Sequence, residues 1–323
     1  MWGNEIAVAF KQGIYKTNAE THSIDRSQGQ PRRISRSLDG GQTWQMEEPV
    51  NFDEGELSPP PHPVDFTNPD FAIRCNGGGF RISYDRARTW QGPYPFPDFG
   101  FEENLTPRTD VINNGTHDCH FFLSVRTPEV RSKLADRSFC VRTRDGGRTF
   151  SEPVLMLLEP REVRSVMSSS VRISEKHIVS SLRRRVDHER DGKFWRQCWI
   201  DIVDSEDNGE SWRFLGKLAD TDTFEEQHNG NPPSLVRLRD GRLCGIYGYR
   251  APPFGMRAKV SSDNGHTWSE EIVLRDDART WDIGYPKSVV RPDGQIVSTY
   301  YYTTEENVEQ QIAATIWHPD EIS

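Results

Sequence analysis

The chain has 323 residues, with 49 acidic and 40 basic side chains that give a formal net charge of −9. An acidic chain of this kind argues against nucleic acid as a partner, because a phosphate backbone needs a basic surface. A local cluster of arginines can still bind an acidic small ligand in spite of the net charge.

The start of the chain has neither a basic nor an apolar signal segment, and no apolar run reaches membrane-spanning length. These features predict a cytoplasmic protein with no membrane partner, although a chain whose leader had been removed, and which was secreted or periplasmic, would look the same. The five cysteines are widely spaced and form no CxxC pair, which predicts buried free thiols. No ligand spacing indicates a metal, and no cofactor is expected. The oligomeric state is left open.

One pattern, Ser/Thr-x-Asp-x-Gly-x-Thr/Ser-Trp/Phe, recurs along the chain. It occupies residues 37–44, 143–150, 205–212 and 261–268, with a degenerate copy at 83–90 that has Ala87 in place of glycine. The Asp-Gly and Asn-Gly pairs supply the positive φ angles of a tight turn, and the Asp and Ser/Thr side chains can bind the turn amides. We call these turns Asp-boxes. Their spacing is that of a four-stranded unit with its loops.

Between the Asp-boxes the sequence alternates like paired strands, as in 233–239 with 242–249 and 287–291 with 295–302. The fold predicted is all-β: a six-bladed β-propeller of four-stranded antiparallel blades, in a single domain spanning 1–323. The expected blades are 1–60, 61–103, 104–160, 161–220, 221–276 and 277–323. Residues 311–317 are expected to pair with 5–10 and so close the ring.

Polar and aromatic residues recur where inner strands begin and where second strands end. Because such groups are costly to bury without partners, they predict one polar pocket at the mouth of the central channel. The strand starts carry Asp70, Arg108, Asp110, Arg164, His228, Asn229, Asn231, Asp282, Tyr285 and Lys287, and the strand ends carry Arg126, Arg183 to Arg185, Tyr249, Arg250 and Tyr300 to Tyr302.

The Asp-boxes resemble those of the sialidase superfamily over the whole chain. The resemblance implies turns on the outer rim, an arginine triad for a substrate carboxylate, a Tyr nucleophile with a Glu partner, and an Asp acid/base. Residues 284–294 resemble the segment with the nucleophile, which places Tyr285 at that position. Arg250 and either Arg183 or Arg184 resemble two triad members. The chain departs from the family pattern in three places: the N-terminal Phe/Tyr-Arg-Ile-Pro segment is missing, residues 164–167 replace the expected Asn-Glu pair, and Pro-Lys follows the tyrosine.

These features predict a sialidase-like exo-glycoside hydrolase for a terminal, acidic sugar of a glycan or polysaccharide. Tyr285 would be the nucleophile or stabiliser, with Asp70 or Asp110 as acid/base and His228 as a further acid/base or hydroxyl ligand. The predicted substrate ligands are Arg108, Arg126, Arg164, Arg184, Asn229, Asn231, Tyr249, Arg250, Asp282 and Lys287. Two alternatives stay open: a uronate polysaccharide lyase on the same fold, and a non-catalytic carbohydrate-binding propeller.

Overall fold

A computed structural model describes residues 1–16, 24–25, 27–126, 136–158, 163–190, 192–223 and 228–321 of the chain. Within these ranges the protein is all-β, and its ordered elements are strands, without a helix. The described residues accordingly include no helix that is long and apolar enough to span a membrane.

The described strands form six antiparallel sheets of three to five strands, each from one continuous stretch of chain, and one two-stranded sheet. Sheet 1 contains β1 (Ile6–Lys11), β4 (Arg32–Ser37) and β5 (Gln45–Glu47), while β2 (Ile14–Tyr15) and β3 (Ile24–Asp25) form a separate hairpin. Sheet 2 contains β6 (Ala72–Asn76), β7 (Gly79–Ser83) and β8 (Gln91–Pro95). Sheet 3 contains β9 (Asn104–Leu105), β10 (Val111–Gly115), β11 (Asp118–Arg126), β12 (Asp136–Thr143) and β13 (Val154–Leu155).

The remaining three sheets follow in the same manner along the chain. Sheet 4 contains β14 (Val163–Arg172), β15 (Ile178–Arg190), β16 (Lys193–Ser205) and β17 (Arg213–Asp220). Sheet 5 contains β18 (Ser234–Arg237), β19 (Leu243–Tyr249), β20 (Gly255–Ser261) and β21 (Ile272–Arg275), and sheet 6 contains β22 (Gly284–Val290), β23 (Ile296–Tyr302) and β24 (Gln311–Trp317).

Two details of the predicted blades differ from the structure. The described parts of sheets 1, 2 and 6 contain three strands rather than four, and sheet 3 gains the short strand β9. The expected pairing of 311–317 with 5–10 is wrong: β24 pairs with β23, and β1 pairs with β4. The physical reason is that each strand pairs within its own stretch of chain: β23 and β24 are consecutive, and β1 pairs with β4 across the β2–β3 hairpin.

The Asp-box turns are built as the pattern predicts. In the first box the Ser37 hydroxyl accepts the Gly41 N–H at 2.7 Å, and Asp39 Oδ1 accepts the Thr43 N–H at 2.9 Å. The same bonds recur in the four other boxes, including the degenerate one. Ala87 there adopts a φ of 67°, in the region that glycine occupies elsewhere.

The apolar core lies between consecutive sheets. Alternation along β11 shows why: Phe121 packs against sheet 2 around Phe80, whereas its neighbour Phe122 packs against sheet 4 around Leu182. Further clusters join sheets 1 and 2, sheets 4 and 5, and sheets 5 and 6. All five cysteines are free and buried, as predicted.

Sheet 6 also contacts sheet 1. Arg291, after β22, donates a hydrogen bond to the carbonyl of Gly40 in the first Asp-box at 3.2 Å. A Cβ on Gly41 would lie 2.9 Å from Val297 of β23, so the turn packs directly on the last sheet. Each sheet therefore touches the next one in chain order, and the last touches the first.

Candidate active site

A cavity of about 520 Å³ is lined by residues from all six sheets or the segments next to them. Lys11, Arg32 and Arg74 come from sheets 1 and 2, Arg108 and Thr109 precede β10, Met167 and Ser168 belong to β14, Pro232 and Pro233 precede β18, and Tyr285 and Lys287 belong to β22. Lys287 of sheet 6 reaches the carbonyl of Thr109 beside sheet 3 at 3.4 Å. The cavity therefore lies where the inner edges of the sheets converge, and its volume suits a small ligand.

Tyr285 enters this cavity from a distorted part of β22. The register of β22 shifts between Gly284 and Lys287, and Tyr285 has a φ of 53°, which is uncommon for a bulky residue. The buried side chain of Asn231 holds this backbone: its Nδ2 donates to the carbonyl of Ile283 at 2.9 Å, and its Oδ1 accepts the Tyr285 N–H at 3.1 Å. Strained backbone of this kind clusters at functional sites.

Met167 in sheet 4 has the same combination of positive φ and a register shift in its strand. It has a φ of 56° and lies where the register of β14 shifts, between Val166 and Ser169. Met167 lines the cavity together with Tyr285, and both residues contact Arg183 of the neighbouring strand β15. Two bulges in the innermost strands of two sheets therefore turn side chains toward the same point.

The hydroxyl of Tyr285 lies among guanidinium groups. Buried Arg183 donates from Nη1 to this hydroxyl at 3.2 Å, and its Nη2 binds the backbone carbonyls of Asn229 and Gly230. Arg108 lines the cavity together with Tyr285. Desolvation lowers the pKa of Arg108, and the neighbouring Tyr285 and Asp136 oppose that change. This part of the cavity is suited to bind an anion or to stabilise a developing negative charge.

Two further arginines are held behind this group by one buried carboxylate. Arg126 donates from Nε to Asp136 Oδ1 at 2.6 Å and from Nη2 to Oδ2 at 3.2 Å, and Arg164 donates from Nε to the same Oδ2. Burial and, secondly, the charge of Arg183 together lower the pKa of Arg164 to about 10. The arginines are thus in excess over the single carboxylate that they share.

Asp110 is the carboxylate placed next to the cavity wall. Its Oδ1 accepts the Ser170 N–H at 3.1 Å, its Oδ2 accepts the Ser170 hydroxyl at 2.8 Å, and Ser168 also hydrogen-bonds to it. Desolvation raises the pKa of Asp110, and the ammonium of Lys287 partly opposes that rise. A carboxyl group with a raised pKa is suited to act as a general acid.

A second group of predicted residues contacts the segment around Tyr285 or packs next to it, outside the cavity lining. Arg250 is fully buried and donates to the carbonyl of Ile283 and, at 2.7 Å, to the hydroxyl of Tyr301. Asp282 accepts the Tyr301 hydroxyl at 2.9 Å. His228 stacks on Trp281, with ring centroids 4.5 Å apart. These contacts assign Arg250, Asp282 and His228 to the support of the tyrosine loop rather than to the cavity lining.

Three predicted site residues lie elsewhere. Arg184 faces away from Arg183 because neighbours on a strand alternate; it pairs with Asp201 at 3.2 Å. Asp70 pairs with Arg86 of the degenerate Asp-box at 2.6 Å. Tyr249 packs under the guanidinium of Arg257, on the neighbouring strand β20. The described contacts of these three residues do not reach the cavity.

Of the remaining predicted ligands, Arg108 and Lys287 line the cavity and Asn231 holds Tyr285, whereas the lining does not include Asn229, Arg126 and Arg164. Several residues next to or in the cavity were not predicted. The side-chain oxygen of Asn229 accepts a hydrogen bond from Arg185, and its backbone carbonyl accepts one from Arg183. The missed residues are Lys11, Arg32, Arg74, Asp136 and Met167. Alternation along the run 183–185 could have identified the two arginines that share a face, but nothing local marks the others. Within the described ranges no group of three or more His, Cys, Asp or Glu side chains could hold a metal ion.

The Asp-box turns on successive sheets define a repeat protein of the BNR type. The chain belongs to the BNR repeat-like domain family, whose model matches residues 79–297. The prediction of a divergent member of the sialidase superfamily is thereby confirmed. No curated protein matches the chain significantly.

Solved structures share the fold at low sequence identity. A protein of unknown function from Dyadobacter fermentans is 20% identical over 97% of this chain and 91% of its own, with a TM-score of 0.67. An α-L-arabinofuranosidase from Fusarium graminearum, solved with an iminosugar inhibitor, is 12% identical over 90% of this chain and 86% of its own, with a TM-score of 0.55. A sialidase from Streptococcus pneumoniae is 15% identical over 76% of this chain and 36% of its own, with a TM-score of 0.49. The fold relationship rests on the first two.

Proposed function

We propose that this protein is a glycoside hydrolase that releases a terminal, acidic sugar from a glycan or polysaccharide. The observation that carries the proposal is the hydroxyl of Tyr285, presented on strained backbone into a shared cavity and bound by Arg183 at 3.2 Å. Arginine suits a planar carboxylate better than lysine does, which favours an anionic sugar. We also infer that the six sheets are six blades of one propeller, because successive sheets touch and sheet 6 touches sheet 1.

Tyr285 takes the role of nucleophile in this proposal. Its phenolic oxygen loses its proton to solvent and attacks the anomeric carbon as the phenolate, while the bond to the leaving-group oxygen breaks and that oxygen takes a proton from Asp110. Water then attacks the anomeric carbon and gives a proton back to Asp110, which releases the sugar and leaves Tyr285 as the phenolate. Neighbouring guanidiniums stabilise negative charge on that oxygen. Arg183 and Arg108 also orient the sugar carboxylate beside the reacting carbon.

Asp110 takes the role of general acid. Its position beside Ser168 and Lys287, which both line the cavity, supports delivery of a proton to the departing oxygen. Burial raises its pKa, which favours the protonated form that a general acid needs. Asp70 is less suited, because Arg86 holds its carboxylate in an ion pair.

A lyase that acts on a uronate is the second candidate, and one contact favours it. Arg183 donates a hydrogen bond to the Tyr285 hydroxyl, so a guanidinium lies beside the group that would act as the base. In a lyase, arginine would neutralise the uronate carboxylate while Tyr285 removed the proton at C5. The lyase forms an unsaturated product, which the hydrolase does not.

The test is a substrate panel with the full-length protein. Aryl glycosides of sialic acid, uronic acids and neutral sugars are assayed for release of the aryl group, and acidic polysaccharides are assayed for reducing ends and for unsaturated uronate absorbance. The variants are Tyr285→Phe, Asp110→Asn and, as a matched control, Tyr94→Phe, whose ring is buried in the core between sheets 2 and 3.

Release of an acidic sugar that is lost in Tyr285→Phe and kept in Tyr94→Phe would support the hydrolase. Unsaturated products that are lost in Tyr285→Phe and kept in Tyr94→Phe would show a lyase and contradict the hydrolase. Glycan binding without any product would show a carbohydrate-binding propeller and overturn both enzymatic proposals.

A further inference from the structure

A second cluster of cations lines the cavity from sheets 1 and 2, and the proposed reaction does not use it. Lys11 of β1, Arg32 of β4 and Arg74 of β6 form this cluster. Among the described residues that line the cavity there is no aspartate or glutamate. The cluster therefore presents positive charge to any ligand that fills the cavity.

Arg74 is rigidly placed for recognition. Its guanidinium stacks 3.7 Å above the ring centre of Phe52, and its Nη1 donates to the Phe52 carbonyl at 2.5 Å. Asp53 Oδ1 accepts hydrogen bonds from Nη2 and Nη1 of Arg74 at 3.1 and 3.2 Å. Only 9% of Arg74 is exposed. An arginine that is already oriented loses little conformational entropy when it binds an anion.

Positive charge is in excess around Arg74. Arg32 and Arg74 share the carboxylate of Asp53, which is itself about half exposed, and buried Arg81 lies in the same electrostatic neighbourhood. Burial and, secondly, the nearby charge of Arg32 together lower the pKa of Arg74 to about 10. Crowded like charges of this kind are relieved when an anion binds.

The two cation clusters lie on different sheets and have different partners, although they share one cavity. Arg32 and Arg74, on sheets 1 and 2, both pair with Asp53. Arg183, on sheet 4, instead donates to the hydroxyl of Tyr285 on sheet 6. The cavity therefore has two separately anchored sources of positive charge, each of which suits an anionic group.

We propose that the natural ligand is an oligosaccharide with anionic groups on two sugar units, the second of which binds to Lys11, Arg32 and Arg74. This rests on the proposed function, since the first anionic group is the one beside Tyr285. The shared chemistry of the second group is an oxyanion, either a uronate carboxylate or a sulfate ester. Bidentate arginine recognition serves both.

The experiment measures binding to the full-length protein by titration calorimetry at low and high salt. The probes are glucuronic acid with one anionic group, digalacturonate with two carboxylates, a chondroitin sulfate disaccharide with one carboxylate and one sulfate, and neutral cellobiose. The variants are Arg74→Gln and Arg32→Gln. Arg33→Gln is the matched control, because Arg33 follows Arg32 on β4 but pairs with Glu48 outside the cavity lining.

We expect the dianionic probes to bind more tightly than glucuronic acid, with the difference shrinking at high salt. Arg74→Gln and Arg32→Gln should weaken dianion binding about tenfold and glucuronic acid binding less than about twofold, whereas Arg33→Gln should change neither. The tighter of the two dianions identifies the carboxylate or the sulfate. Thermal unfolding of each variant shows that the fold is intact.

Equal weakening of the one-anion and two-anion probes, or dianions that bind no better than glucuronic acid or cellobiose, would overturn this proposal. Its failure is distinct from failure of the hydrolase. Turnover of a monoanionic aryl glycoside with no preference for a second anion would refute only the second subsite. Selective binding of dianions without any turnover would refute only the enzymatic reaction.

Discussion

The side-chain amide of Asn231 bridges the two peptides on either side of Gly284: it donates to the Ile283 carbonyl at 2.9 Å and accepts the Tyr285 N–H at 3.1 Å. Asn231 belongs to the segment that precedes sheet 5, whereas Tyr285 belongs to sheet 6. The left-handed backbone of Tyr285 is therefore held by a neighbouring sheet rather than by its own strand. This makes the position of the proposed nucleophile depend on the packing of two sheets.

Replacing Asn231 by alanine should displace Tyr285. The change leaves the Ile283 carbonyl and the Tyr285 N–H without this partner in a buried setting, at a cost of about 2 kcal/mol. We expect turnover to fall at least about tenfold, since small misplacements of a reacting group have large effects on rate. Urea unfolding and steady-state kinetics measure the two effects separately.

Asn113→Ala is the control for that variant. Asn113 also donates from its side-chain amide to a backbone carbonyl, that of Phe66 at 2.9 Å, but it is not part of the cavity. It should lose some stability and keep its turnover. Equal loss of turnover in both variants would mean that Asn231 supports the fold in general and not Tyr285 in particular.

The adjacent arginines 183 and 184 offer a second comparison. Arg183→Gln removes the hydrogen bond to the Tyr285 hydroxyl, so substrate turnover should fall by roughly two orders of magnitude. Arg184→Gln removes the ion pair with Asp201 on the other face of β15, so it should lower stability and leave the kinetics of the folded fraction nearly unchanged. Kinetics and thermal unfolding of both variants test this. The reverse pattern would contradict the assignment of faces.

Gly284→Ala should be strongly destabilising. Gly284 has a φ of 114°, and a Cβ there would lie 2.0 Å from Nδ2 of Asn231. We expect a loss of about 3 kcal/mol or more from backbone strain and displacement of the amide. Gly216→Ala is the control, because Gly216 has open space around its Cα and no positive φ. A Gly284→Ala protein as stable as Gly216→Ala would show that this loop can rearrange freely.

Asp222 should make stability depend on pH. Burial raises its pKa to about 7, from 3.8. Between these values the unfolded chain loses the proton while the folded protein keeps it, so this group's contribution to stability falls as pH rises from about 4 to about 7. Asp222→Asn mimics the protonated form and should gain roughly 2 to 4 kcal/mol over the wild type between pH 4 and pH 8.

Urea unfolding across that pH range measures the gain. Asp220→Asn is the control, because Asp220 is exposed and pairs with Lys217 on the surface. A constant difference between Asp222→Asn and the wild type at all pH values would show that Asp222 is ionised in the folded protein well below pH 7.

The Asp-boxes were predictable from the sequence alone because their bonds are local. Ser37, Asp39 and Thr43 lie within a few residues of one another, and the turn is built from their own side chains and two glycines. The same local reasoning located the hairpins and the buried thiols, whereas Tyr285 was predicted from the resemblance of residues 284–294 to the sialidase superfamily. Local patterns also identified the repeat, and through it the family.

Only the tertiary structure decided which polar side chains meet. Arg183 and Arg184 are indistinguishable in sequence, and their opposite roles follow from the pleat of β15 and from what each face packs against. Arg74 joins Arg32 across two sheets, and Lys287 reaches across the cavity to Thr109. Contacts between residues far apart in the chain depend on how whole sheets are placed relative to one another, which no local pattern records.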